Sequence, residues 1–251
     1  MASHHTRSFS FPSNSHPVSD QLEQQLNRLS SSQAASTSSL TSKLSGLNDL
    51  YKCVEEFLQL PQNQKTVSQS SVQQVLDGSL RLLDICSTSR DVLALSKDRI
   101  QDIQSALRRR SSGELDITNE VVEYLKTRKT SKKTIKKSLK NIKDAEQTTK
   151  DNAVESKLTD VNTITLDIFK SVLSFIGGSQ KSSWSFSKKN AAASISEFDA
   201  VDATLEKKKV NVDMSQLVNL ESQIQEIDEV LECLFRHLVK TRATLLNVLS
   251  N

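Results

Sequence analysis

The chain has 251 residues, of which 36% are hydrophobic, 25% charged and 4% aromatic, and its formal charge is +3. From Gln62 onward it has no proline and only four glycines, Gly78, Gly113, Gly177 and Gly178, the two residue types that most disfavour helix interiors. Phosphate loops, nucleophile elbows and dinucleotide folds need glycine-rich turns, so this composition argues against an α/β enzyme and for long helices with one apolar stripe each.

Residues 1–35 are expected to be a disordered serine-rich tail with at most a short helix. Residues 1–45 hold 14 serines and two acids, too little apolar surface to offset the entropy of ordering. The short helix should begin at Asp20, where Asp20 and Glu23 form a capping-box pattern and Leu22, Leu26 and Leu29 share a face. Ahead of it stands Arg7-Ser8-Phe9-Ser10-Phe11-Pro12. With Ser10 phosphorylated, this hexapeptide matches the pattern gripped by 14-3-3 adaptors, in which a dianionic phosphate meets an arginine cluster and the proline turns the chain away. A serine-rich tail also produces such matches by chance. The first 19 residues lack acids and so resemble a plastid transit peptide in composition as well as a plain polar tail.

Residues 36–251 are expected to form a single helical-bundle domain with a flexible linker near 177–192. Leu40, Leu44, Leu47, Tyr51, Val54 and Leu58 recur in steps of three and four, and Pro61 stops that helix. A second long helix should open near Ser70, with a stripe through Val72, Leu76, Leu80, Leu83, Val92, Leu95, Ile103 and Leu107 that Ile85, Cys86 and Ile100 widen. It closes on Arg108-Arg109-Arg110, cations suited to the negative end of the helix dipole. In the turn that follows, Arg109-Arg110-Ser111-Ser112 offers a basophilic kinase site at Ser112, with helix capping by arginine as the simpler use.

A third helix should run from near Asp116 through Val121, Leu125, Ile135, Leu139 and Ile142; its repeat falters at Arg128 and Lys132, which predicts a bend or an exposed middle. Val161 to Ile176 is a denser apolar helix, followed by Gly177-Gly178 and a polar linker containing Trp184, to which no motif gives a role. The last helix starts at a capping box of Asp213 and Gln216, and its stripe runs from Leu217 to Val248. The apolar end of that helix, Leu231 to Leu249, suits core packing better than a membrane surface, because its upstream half is normally amphipathic.

The chemistry-bearing residues are few. There is no glycine-rich nucleotide loop, H-E-x-x-H, C-x-x-C or G-x-S-x-G, and three of the four histidines lie in the tail. No catalytic residue, cofactor or metal site is therefore predicted, and the chain is expected not to be an enzyme. Cys53, Cys86 and Cys233 are odd in number and set among apolar residues, which favours a reducing compartment and a cytoplasmic location. Lys126 to Lys143 carries nine cations and no acid. Lys132, Lys133, Lys136 and Lys137 within it could meet an anionic partner, either anionic lipid headgroups or the phosphates of a nucleic acid, or serve nuclear import. The absence of interleaved aromatics disfavours nucleic acid. Equally, the ten acids between Ser194 and Glu232 could neutralise this face within the chain.

Several blocks together resemble the plant-specific BYPASS-related family: R-S-F-S-F-P with His16-Pro17 downstream, G-L-N-D-L-Y-K-C-V-E-E-F-L-Q-L-P at 46–61, S-L-R-L-L-D-I-C-S-T-S-R-D-V-L at 79–93, Q-S-A-L-R-R-R at 104–110 and L-F-R-H-L-V-K-T-R-A-T-L-L-N-V-L-S at 234–250. The resemblance implies an all-helical protein without established enzymatic activity or cofactor, linked to root and shoot development. The linker around Trp184 matches no part of that pattern. Together the residues and the resemblance lead to an all-α bundle of long antiparallel amphipathic helices behind a disordered tail. Its expected role is non-enzymatic regulation or scaffolding through protein partners, with binding to anionic membranes through 126–143 as the alternative.

Overall fold

The computed structural model describes residues 16–31, 37–66, 69–110, 117–143, 153–178, 196–206 and 213–250. These form eight helices and no strands: α1 (Pro17–Ser31), α2 (Thr37–Gln59), α3 (Pro61–Thr66), α4 (Gln69–Arg110), α5 (Thr118–Lys143), α6 (Ala153–Gly177), α7 (Glu197–Glu206) and α8 (Met214–Ser250). Arg7, Ser10, Pro12, Ser112 and Trp184 lie outside the described residues.

α4 and α8 are the two longest rods, of 42 and 37 residues, and at 1.5 Å per residue each exceeds about 50 Å. They run antiparallel, with Arg90 facing Asp228, Gln101 facing Glu221 and Leu76 facing Arg242. α2 lies on the other side of α8 and runs parallel to it, pairing Asn48 with Val230 and Glu55 with His237. α6 closes the ring, touching α2 and α4 but reaching α8 only across the core. Isolated helices are marginal in water, so these rods depend on the apolar stripes they bury against one another. Leu44, Leu47, Leu50 and Val54 of α2 meet Leu231, Leu234 and Leu238 of α8 in one continuous core with Phe169, Val172 and Leu173 of α6. Each such side chain contributes about 1.5–3 kcal/mol by leaving water.

Helix ends follow local chemistry. Pro17 occupies the first helical position of α1, where its missing N–H costs nothing, and the preceding His16 accepts the Val18 N–H through Nδ1 at 3.3 Å. α1 thus starts three residues before the expected Asp20, and Leu22, Leu26 and Leu29 are buried against α2 and α6. That packing carries the bundle core N-terminally of residue 36. At the other end of the chain, Asp213 caps α8 by accepting the Ser215 N–H on Oδ1 at 2.9 Å.

The structure corrects the sequence reading elsewhere too. Leu80 and Leu95, expected on the α4 stripe, are 48% and 41% exposed. Over 42 residues a 3.6-residue helix drifts across any fixed three-four pattern; the core side keeps Leu76, Ile85, Cys86, Val92, Ile100 and Ile103 of the expected stripe and adds Leu82 and Leu93. Arg128, expected at a bend or an exposed middle of α5, is 2% exposed within an uninterrupted helix. Finally, α7 was not anticipated. Ser196 caps it by accepting the Asp199 N–H on Oγ at 3.2 Å, and Phe198, Val201 and Leu205 plug the core between α5, α6 and α8.

α6 ends at Gly177, and the residue that follows it, Gly178, has a left-handed φ of +75°. A Cβ there would lie 2.0 Å from the Asp199 carboxylate, so glycine lets the end of α6 abut the start of α7. Gly178→Ala is expected to lower unfolding stability by about 1–2 kcal/mol, the cost of left-handed backbone on a non-glycine residue. Urea denaturation of the variant against wild type measures this, and an unchanged midpoint would remove the role assigned to the close approach.

Candidate functional site

The α5 helix holds a buried charge cluster and, beside it, a basic groove. Asp202, on the inner face of α7 and 5% exposed, is its centre. Arg128 Nε donates to both carboxylate oxygens at 3.0 and 3.2 Å, and its Nη2 donates to Oδ2 at 3.2 Å. Its Nη1 donates to the Ile176 carbonyl at 2.8 Å, one of the carbonyls that the end of α6 leaves without an intrahelical partner. The Tyr124 hydroxyl donates to Asp202 Oδ1 at 2.8 Å, and Lys132 Nζ to Oδ2 at 2.8 Å. Phe198 takes the guanidinium on its ring at 4.3 Å and stands edge-on to Phe175. A planar fork that hydrogen-bonds in its plane and stacks on an aromatic face is arginine chemistry that lysine cannot copy.

Burial by itself would push the Asp202 carboxyl up, but the Arg128 charge and the hydrogen bonds from Arg128 and Lys132 outweigh it and hold the group below its ordinary 3.8. Tyr124 moves the other way, held neutral by burial and by the adjacent Asp202 charge. The tyrosine is thus a hydrogen-bond donor to a carboxylate that is ionised at neutral pH.

A second buried carboxylate joins α2 to α8. Glu55, 6% exposed, meets His237 Nδ1 at 2.7 Å through Oε1 and Lys240 Nζ at 2.5 Å through Oε2. Burial opposes its charge, while the His237 and Lys240 contacts win and lower its pKa from the ordinary 4.5. Sequence alone left His237 without a partner, because Glu55 lies 182 positions away. Along the α4–α8 seam, Arg90 pairs with Asp228 at 2.9 Å and Glu221 accepts from Gln101 and Gln104 at 2.6 and 2.8 Å.

The α5–α7 groove, of about 610 Å3, opens beside the Asp202 cluster and is lined by Lys129, Lys132, Lys133 and Lys136 with Glu206 opposite. The structure therefore divides the four predicted anion-binding lysines. Lys132 bridges to Asp202, Lys133 and Lys136 line the groove, and Lys137 stands exposed outside its lining. Neutralisation by the acids between Ser194 and Glu232 reaches Arg128 and Lys132 through Asp202. The signal for this arrangement was present in Ser196, Phe198, Val201 and Leu205, a capped helix with spacings of three and four.

Asp202→Asn is expected to destabilise the fold by about 3–5 kcal/mol, since it leaves the buried Arg128 charge uncompensated. Lys132→Gln should cost about 1 kcal/mol or less, because its side chain is 42% exposed and the pair is screened by solvent. Equal costs in chemical denaturation would refute the buried-pair account. Both Asp202 and Glu55 have folded pKa values below their ordinary ones, so their stabilisation is complete above about pH 4.5 and is lost as pH falls through the folded values. Thermal unfolding between pH 7 and pH 2 should show this acid limb, and it should flatten in Asp202→Asn measured against its own neutral-pH value.

A family model described as "Protein BPS1" matches residues 43–248. No curated protein and no solved structure matches the chain significantly.

Proposed function

The chain belongs to the plant Protein BPS1 family, and on that footing we propose that it is a non-enzymatic regulatory or scaffolding protein of root and shoot development, working in the cytoplasm through protein–protein contacts. One observation carries this reading. Two buried carboxylates are engaged by residues of neighbouring helices: Asp202 by Arg128, Tyr124 and Lys132, and Glu55 by His237 and Lys240. Groups held in this way set helix spacing, which is the chemistry of a framework that presents its outer faces. Leu80, Leu95, Val122, Val218 and Val239 are exposed on those faces and supply apolar contact area for partners.

The N-terminal motif supplies regulation on this reading: phosphorylation of Ser10 recruits a 14-3-3 adaptor, with Arg7 and Pro12 completing the recognition pattern. Ser112 is a second phosphorylation site. A second reading is favoured by the exposure of Lys133, Lys136 and Lys137 on α5: the protein binds anionic membrane surfaces peripherally. Among the described residues no helix is long and apolar enough to cross a membrane.

Affinity purification from plant tissue separates these readings, with wild type, Ser10→Ala and the quadruple Lys132, Lys133, Lys136 and Lys137→Gln variant run side by side. A 14-3-3 protein recovered with wild type and lost with Ser10→Ala is the expected result. Identical partner lists for wild type and Ser10→Ala would end the adaptor role of the tail. Loss of membrane fractions only in the lysine variant would favour the second reading.

A further inference from the structure

We propose that the α5–α7 groove is a binding site for a multiply phosphorylated compact ring, of the inositol-polyphosphate class. The proposal deepens the reading of α5 as a contact surface for an anionic partner and rests on it. Lys129, Lys132, Lys133 and Lys136 fall at i, i+3, i+4 and i+7, so one face of two helical turns carries all four ammonium groups over about 10 Å. All four line the same concavity of about 610 Å3. Such a number of cations exceeds what one phosphate can satisfy and matches several phosphates on one small body, each accepting charge-assisted hydrogen bonds.

The groove is also prepared for an anion on its buried side. Arg128 and Asp202 compensate each other, and Arg128 is locked by Asp202, the Ile176 carbonyl and the Phe198 ring. Lys132 is tied to Asp202 at 2.8 Å, which fixes one ammonium of the stripe before any ligand arrives and lowers the ordering cost of binding. Lys129, Lys133 and Lys136 are exposed and supply the remaining positive field. Two carboxylates share the lining: Asp202, compensated by Arg128 and Lys132, and the exposed Glu206 on α7, which opposes the ligand. Among the described residues the lining has no aromatic side chain, which points away from stacked nucleic-acid bases. Concavity points away from a flat bilayer as well: a planar charged surface would draw on Lys137 and Lys140, exposed outside the groove lining, as much as on the lysines within it.

The test is titration calorimetry with free inositol hexakisphosphate, together with flotation on vesicles containing phosphatidylinositol bisphosphate and on vesicles of phosphatidylserine at matched charge. Three variants accompany the full-length wild type: Lys129, Lys133 and Lys136→Gln together, the charge-matched Lys126, Lys137 and Lys140→Gln together, and Glu206→Gln. The substituted residues are all exposed, and circular dichroism of each variant checks that the bundle is intact. The first triple is expected to weaken binding of the free polyphosphate by about tenfold or more, and the second by much less. Glu206→Gln should tighten it. Binding of the free ring assigns a soluble ligand. Binding confined to bisphosphate vesicles, with the same variant pattern, assigns a lipid headgroup. Binding to both vesicle types alike, reduced equally by the two triples, overturns the groove while leaving the basic membrane surface in place. If no probe binds, the groove and the anionic-surface reading fall together, whereas the adaptor role of Ser10 is untouched.

Discussion

The carboxylate of Asp202 is the point at which α5, α7 and the end of α6 meet. An isolated ion at that depth would cost several kcal/mol of lost hydration, and the groups that offset this come from separate parts of the chain. Tyr124, Arg128 and Lys132 stand on α5, while Arg128 also reaches the last turn of α6 at Ile176. α7 spans only ten residues, too short to be stable alone. It is held by three apolar side chains and one fully engaged acid. Remove the acid, and Arg128 becomes a buried charge facing a neutral neighbour.

Charge is used inside the bundle to specify spacing and outside it to offer contacts. Glu55 repeats the logic of Asp202 at the α2–α8 interface, with His237 and Lys240 spaced three apart so that both reach one carboxylate from a single helix face. Tyr51 and Thr165 share a hydrogen bond at 3.2 Å between α2 and α6 in an otherwise apolar layer. Leucine stripes alone tolerate sliding by a turn, because one leucine replaces another at little cost. A carboxylate with two fixed donors does not tolerate it.

The same α5 helix serves both purposes, which is why its sequence is hard to read. Nine cations in 18 positions look like one feature in the linear chain, Lys126 to Lys143. In three dimensions Arg128 belongs to the core, Lys132 to the margin, and Lys129, Lys133 and Lys136 to an open groove. Helical phase separates them by side: a step of four from Arg128 moves around the helix by about 40°, enough to pass from buried to half-exposed. Which phase faces inward is set by α4, α6 and α7, the helices packed against α5, whose positions no local signal on α5 encodes.

Much of the architecture was legible in the chain itself. The scarcity of glycine and proline, the stripe from Leu40 to Leu58, the stop at Pro61 and the cap at Asp213 each act over a few residues, so local physics determined an all-helical chain and the starts or ends of its long rods. The proline at position 17 was an equally local signal for the start of α1. Pairings across long separations were of another kind. Asp202 with Arg128, Glu55 with His237 and Gly178 against Asp199 join residues 74, 182 and 21 positions apart, and a charged side chain reads the same in sequence whether it will face water or a partner. Burial decides its energy by several kcal/mol, and burial exists only once the helices have packed. The identity of the rods was therefore settled by sequence, while the conversion of Arg128 into a strut and its lysine neighbours into a groove belonged to tertiary structure alone.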